Sequence, residues 1–376
     1  MKIVLAPDSF KNTMSADVVC SELEAGIREV LPEASVICLP AADGGEGTID
    51  AILGAMGGKR VYLTVTGSEF GLHTTSYGQT NDDTAIIEMA EICGLMLTKN
   101  LNPEKTTTLG VGEAIVHALD NGCKKIILCI GGSSTNDAGM GVMEGLGACF
   151  LDNCNRPLPP VGESLKLVEK IDLSKLDSRL KNTEILIACD VDNPLYGKNG
   201  AAFVYAPQKG ADSEMVVRLD EGLRHFSEIL FKESGIAVEN IPGMGAAGGI
   251  SSGLYAFCGA SLRSGVDIVL DTIKFDACAK NADLVITGEG KTDFQTLSGK
   301  VPIGVAKRCA AKNIPVVVVS GSVDGNAQQA LYDAGVWAVF PSILDVCSFD
   351  MLKPVCRQWL KATARNIIRA IILFQK

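Results

Sequence analysis

The sequence predicts an α/β protein in which a doubly wound, mostly parallel sheet carries a second, mixed α/β domain as an insertion. Three observations lead there. Short β-branched runs recur along the chain, each followed by a Gly- or Asp-bearing loop and then an amphipathic helical pattern. These runs are apolar throughout rather than alternating, as strands covered on both faces are. The stretch 59–88 breaks the rhythm, with strand-like runs joined by Gly and Asn-Asp turns in the manner of an antiparallel meander.

The elements follow in order. "KIVLAP" leads through "DSFKNTMS" into a helix from Ala16 to Val30, and "SVICLP" leads through "AADGGEGT" into a helix ending near Met56. After the meander, "KIILCI" leads through "GGSSTNDAG" into a helix reaching Ala148. The segment 152–183 is irregular, broken by Pro157, Pro159 and Pro160, and 212–232 is a long polar helix. "EILI" ends in "ACDVDNPLYG", and "DLVIT" leads to "GEGKTDFQTLSGK" and a helix from Pro302 to Ala311. "PVVVVS" leads through "GSVDGNAQQ" into another helix. "WAVFPS" precedes a final helix from about Pro354, whose apolar "NIIRAIILFQK" is too short to span a bilayer and is expected to dock on the protein. The outer domain, Rossmann- or flavodoxin-like, is placed at 1–64 and 262–376. The inserted domain is placed at 65–261, with the active site expected in the cleft between the two.

Composition narrows the function classes. Of 376 residues, 47% are apolar and 21% charged, which fits a folded globular chain rather than a disordered one. Lys and Arg number 34 against 44 Asp and Glu, a net charge of −10, which argues against a nucleic-acid or anionic-membrane partner. The 13 cysteines form no C-x-x-C pair and mostly sit in apolar runs, so they read as buried reduced thiols in a reducing cytoplasm. The start "MKIVLAPDSF" turns polar too early for a secretory leader.

Two motifs are decoys. "GEGKT" has the end of a phosphate-binding P-loop, but the position that should hold the first glycine is Val285, inside a strand. "GMGAAGG" matches the dinucleotide pattern G-x-G-x-x-G over Gly243–Gly248, yet it follows "NIP" instead of a strand. An NAD(P)-dependent oxidoreductase is the alternative that rests on it, and a non-catalytic anion-binding protein is the other.

The stronger signals lie at strand ends, where open α/β sheets bind ligands. In "GGSSTNDAGMG", Gly131, Gly132, Ser133, Ser134, Thr135, Asn136 and Asp137 stand between a strand and a helix, a setting suited to an anion. Asp8, Ser9 and Lys11 follow the first strand; Asp43, Gly44 and Gly45 follow the second; Asp190 and Asp192 follow "EILI"; Glu289, Lys291, Thr292 and Asp293 follow "DLVIT". Carboxylates, lysines, hydroxyls and glycine-backed amides on one rim are what phosphoryl transfer from ATP requires. On chemical grounds Asp190, Asp43, Lys291 and Lys11 are expected to be catalytic, with Asp190 ahead of Asp43 and Asp293 as the base. Asp192, Glu289 and Asp293 are expected to hold Mg²⁺. Asp8, Ser9, Gly44, Gly45, the Gly131–Asp137 loop and Thr292 are expected to bind substrate or phosphate.

The motifs "KIVLAPDSFK", "ADGGEGT", "GGSSTNDAGMG", "DVDNPL", "PGMGAAGG" and "ADLVITGEGKTD" together resemble the bacterial type I glycerate kinases in order and spacing, from Met1 to about Asp324. The resemblance implies ATP-dependent phosphorylation of D-glycerate, mostly at the 2-hydroxyl, by a two-domain α/β enzyme. The residues do not separate 2- from 3-phosphorylation, and a homodimer is compatible with them. Ala206 in "YAPQKGA" stands where the family pattern has Gly and is expected to restrict that loop slightly.

Overall fold

The computed structural model describes residues 1–373. In chain order the strands are β1 (Lys2–Pro7), β2 (Ser35–Cys38), β3 (Gly58–Thr66), β4 (Leu72–Thr80), β5 (Thr84–Glu88), β6 (Lys125–Cys129) and β7 (Cys149–Leu151). They continue with β8 (Lys170–Asp172), β9 (Glu184–Ala188), β10 (Ser261–Arg263), β11 (Leu284–Thr292), β12 (Val316–Val323) and β13 (Ala338–Pro341). The chain forms two compact units. Met1–Asp43, Asp50–Gly57 and the chain from Val266 onward make the first; Gly44–Ile49 and Gly58–Gly265 make the second.

The first unit holds a sheet ordered β13-β12-β11-β1-β2, with every neighbouring pair parallel. Counted as this unit's own strands, that is the 2-1-3-4-5 order of flavodoxin-type folds, which reverses between β1 and β11. Ile3, Leu5, Leu284 and Ile286 are buried in one core with Leu23 and Ile27 of the helix Ala16–Arg28 and Leu360 and Ile368 of the helix Cys356–Leu373. The last helix therefore docks as its apolar stripe requires, and Glu29 pairs with Lys361 and Arg365 across the contact. Positions 374–376 of the expected docking segment lie outside the described residues.

The second unit holds a sheet ordered β10-β9-β6-β5-β4-β3, with β7 and β8 as a separate antiparallel pair. β5, β6, β9 and β10 run parallel, whereas β3, β4 and β5 form the antiparallel meander. Ile126, Ile127 and Leu128 of β6 are fully buried. Each contributes about 1.5–3 kcal/mol, which explains the uninterrupted apolar run.

Three expectations are corrected. β3 pairs with β4 from Gly58↔Thr80 to Thr66↔Leu72, so the long segment of the second unit begins at Gly58 and not at 65, with Gly44–Ile49 as a further piece of it. Its other end extends to Gly265 because β10 pairs with β9. "GEGKT" is no loop: β11 continues through Thr292, with Glu289 opposite Ser320 and Lys291 opposite Ser322 of β12.

Candidate active site

Where the first unit's strand order reverses, a cavity of ≈ 290 Å³ opens at the carboxyl ends of β1 and β11. Asp8, Ser9 and Lys11 line it from the turn after β1, Asp43 after β2, Glu289 and Lys291 from β11, and Lys300 from the start of the helix Val301–Ala310. Phe10, Met14, Ile343 and Phe349 give it an apolar side. The β11 backbone runs close beneath the Asp8–Lys11 turn: a Cβ on Gly290 would lie 3.2 Å from the Lys11 amide nitrogen.

The acids here differ in state. Asp8 is only 7% exposed, and its carboxyl is pushed up to about 7 by burial and then by Asp43, against the Ser9 N–H at 2.6 Å and Lys11. Burial also raises Glu289, while its carboxylate accepts from Thr296 Oγ1 at 2.5 Å and Thr292 Oγ1 at 3.2 Å and has Lys300 Nζ at 3.5 Å. Asp293 accepts from the Gln295 N–H, capping the short turn Phe294–Ser298, and pairs with Lys291 at 3.1 Å, which holds it below the usual carboxylate range.

These contacts correct part of the expected assignment. Asp293 is committed to its cap and its lysine, and Asp192 is exposed in the second unit. Among the described residues no three His, Cys, Asp or Glu side chains converge as a metal site. Of the expected metal set, Glu289 and Asp293 are already claimed by protein hydrogen bonds and ion pairs, and Asp192 belongs to the other unit. Thr292 is fully buried with its hydroxyl on Glu289, so it is not placed to bind phosphate.

In the second unit, β5, β6, β9 and β10 end side by side. After β6, Gly131 and Gly132 are exposed, but Ser134, Thr135, Asn136 and Asp137 are fully buried. The polar groups of Ser134 and Asp137 serve the fold. The Ser134 N–H and hydroxyl both donate to Cys93 O, and Asp137 accepts from the Thr108 N–H and hydroxyl and from the Gly139 and Gly141 amides. Lys209, also buried, donates to Ser133 Oγ at 2.9 Å and Thr135 O at 2.6 Å. Burial lowers its ammonium to about 8, with Cys93 and Asp137 opposing the shift. The anion-facing part of this loop thus shrinks to Gly131, Gly132 and the edge of Ser133.

Asp190 sits at the end of β9 and accepts from the Gly265 N–H at 3.0 Å. Gly44 packs on the same spot: a Cβ there would lie 2.7 Å from Gly265 Cα and 2.8 Å from the Ala188 Cβ. The dinucleotide reading of Gly243–Gly248 falls. A Cβ on Gly245 would meet Pro194 O at 2.2 Å and one on Gly248 would meet Thr135 O at 2.2 Å, so these glycines serve backbone packing ahead of a short 3₁₀ turn, Ala246–Gly248. Ala206 has ordinary right-handed backbone, φ −69°, and restricts nothing.

Three residues escaped the sequence reading: Lys300, Lys209 and Glu88. Lys300 carried a signal, a cation directly ahead of the helix that Pro302 opens. Lys209 and Glu88 carried none, because their partners are distant in sequence.

The Glycerate kinase family matches residues 3–372 of this chain. A glycerate kinase of Bacillus cereus is 44% identical over 370 residues, covering 98% of this chain and 97% of its own. A glycerate 2-kinase of Escherichia coli strain K12 is 42% identical over 353 residues, covering 93% of this chain and 92% of its own. A crystal structure from Salmonella typhimurium LT2, described as a candidate glycerate kinase 2, superposes with a TM-score of 0.92 at 43% identity, covering 100% of this chain and 99% of that one. With its two α/β units and its strand-end acids and lysines, the chain belongs to the glycerate kinase family.

Proposed function

We propose that this protein transfers the γ-phosphoryl group of ATP to the 2-hydroxyl of D-glycerate, giving 2-phosphoglycerate and ADP. The observation that carries the reading is the crevice between β1 and β11, where Lys11, Lys291 and Lys300 meet an apolar wall. Ammonium groups at a switch point suit the nucleotide phosphates, and Phe10, Met14, Ile343 and Phe349 suit a base. The acceptor is assigned to the second unit, at Gly131, Gly132 and Asp190. The name of the Escherichia coli relative, glycerate 2-kinase, favours the 2-hydroxyl over the 3-hydroxyl.

Mg²⁺ fits Asp8 and Asp43. Both offer oxygen, the hard donor Mg²⁺ prefers, and two carboxylates leave room for water and phosphate ligands. Burial and mutual repulsion raise Asp8 to about 7, so a divalent cation would restore its charge. Bound there, Mg²⁺ would neutralise charge on the phosphate oxygens. Lys11, Lys291 and Lys300 hold and neutralise the phosphates. Asp190 takes the proton of the attacking hydroxyl; one of its oxygens is fixed by the Gly265 N–H.

A coupled ADP-release assay tests the reading, and turnover is expected only with D-glycerate and Mg²⁺ both present. ADP release that ignores glycerate overturns it. Phosphorus NMR of the product decides between the 2- and 3-phosphates.

A further inference from the structure

The loop Gly44–Ile49 lies along the strand ends of the second unit. Gly44 meets Gly265 and Ala188, after β10 and at the end of β9, and Gly45 Cα lies 3.7 Å from a Cβ built on Gly131, after β6. The loop's far end reaches β5, where Glu88 accepts from the Gly47 N–H at 3.2 Å and the Ile49 N–H at 2.8 Å. The strap thus touches the ends of all four parallel strands and passes the residues assigned to the acceptor.

Glu88 is a costly fastening. It is 2% exposed, and burial first, then Glu91, push its carboxyl up to about 7 against the two amides and Arg60. The Thr48 hydroxyl donates to Gly45 O at 2.7 Å, within the strap's own turn, and the first-turn N–H of Ile49 in the helix Thr48–Met56 goes to Glu88. A buried acid drawn from another strand end fixes where the loop sits, as a local cap cannot.

We infer that Glu88 is a positioning residue of the reaction: by gripping Gly47 and Ile49 it holds the Gly44–Gly45 backbone against Gly265 and Gly131, and so shapes the acceptor site. This rests on the assignment of glycerate to the second unit. Glu88 acts on the substrate only through the strap.

The test compares Glu88→Gln and Glu88→Asp with the wild-type enzyme, reading amide hydrogen exchange over 44–50 together with separate KM values for D-glycerate and ATP. In Glu88→Gln, which loses one of two acceptors, Gly47 and Ile49 are expected to lose protection. KM for glycerate should rise about tenfold or more while KM for ATP stays within about twofold. Glu88→Asp should fall between the two, and it carries the same readouts if Glu88→Gln does not fold. A merely structural role would move both KM values or neither. Wild-type protection of Gly47 and Ile49 in the variant overturns the inference, as does lost protection with an unchanged glycerate KM. If the wild-type enzyme does not phosphorylate glycerate, the proposed function fails and the link to the reaction fails with it. The exchange data then report the anchor on their own.

Discussion

The turn after β1 and the loop after β6 begin alike. Each follows a buried parallel strand and holds acid, hydroxyl and basic groups, and each looks suited to an anion. They differ in how those groups are spent. Lys11 and Lys291 are exposed around the first unit's crevice, and Asp8 accepts from the N–H of its neighbour Ser9. In the loop after β6, Asp137 accepts from four donors and Lys209 is enclosed against Ser133 and Thr135. Even there, among the described residues, Thr135 Oγ1 and both amide atoms of Asn136 are buried without a hydrogen-bond partner. Similar strings of polar residues can therefore make a reactive surface or a structural knot. The number of backbone groups already claiming them decides which.

The largest effect should separate chemistry from both regions. Asp190→Asn keeps an acceptor for the Gly265 N–H but removes the proposed base, so kcat should fall about 10²–10⁴-fold with the Mg²⁺ requirement unchanged. Unchanged kcat with a raised Mg²⁺ requirement would make Asp190 a metal ligand instead. Next come the lysines of the open region. Lys11→Met or Lys291→Met should lower kcat/KM by about 10²-fold with Tm almost unmoved, because both side chains are exposed. Full activity in Lys291→Met would reduce "GEGKT" to an ordinary strand end.

Lys209→Met tests the closed region and should reverse that pattern. It strands Ser133 Oγ and Thr135 O in the interior, so unfolding free energy should drop by about 1–3 kcal/mol and Tm with it, while KM for ATP is kept. A kinetic defect without a Tm change would place Lys209 in the site.

The smallest effect concerns Asp8 and pH. Its folded carboxyl is raised from 3.8 to about 7, so the native state holds this proton more tightly than the unfolded chain. That contribution is fully present below pH 3.8 and is lost as pH rises through about 7. Without Mg²⁺ and ATP, wild-type Tm should therefore fall relative to Asp8→Asn between pH 4 and 7, by a free energy on the order of 1–3 kcal/mol. Parallel Tm profiles would show that Asp8 is not perturbed.

Much of this was legible in the chain. Apolar runs such as "KIILC" and "VVVVS" announce buried parallel strands because strand period and burial are written locally. The extent of β11 was not legible, since "GEGKT" has turn composition and becomes strand only by pairing with β12. The boundary near Gly58 was missed for the same reason, because β3 belongs with β4 by hydrogen bonding and not by composition.

By itself the sequence determined the α/β class and, through ordered motifs, the family. Those properties depend on residues near one another along the chain. Only the tertiary structure decided which polar groups are spent and which face a cavity. Glu289 accepts from Thr292, Asp293 takes the Gln295 N–H and Lys291, and Cys93, Thr108 and Lys209 engage Ser134, Asp137 and the Thr135 carbonyl. Glu88 came into view only because the fold lays residues 44–49 across its strand end. A polar side chain's role is set by its competing partners, and partners far apart in sequence meet only when the sheet has formed.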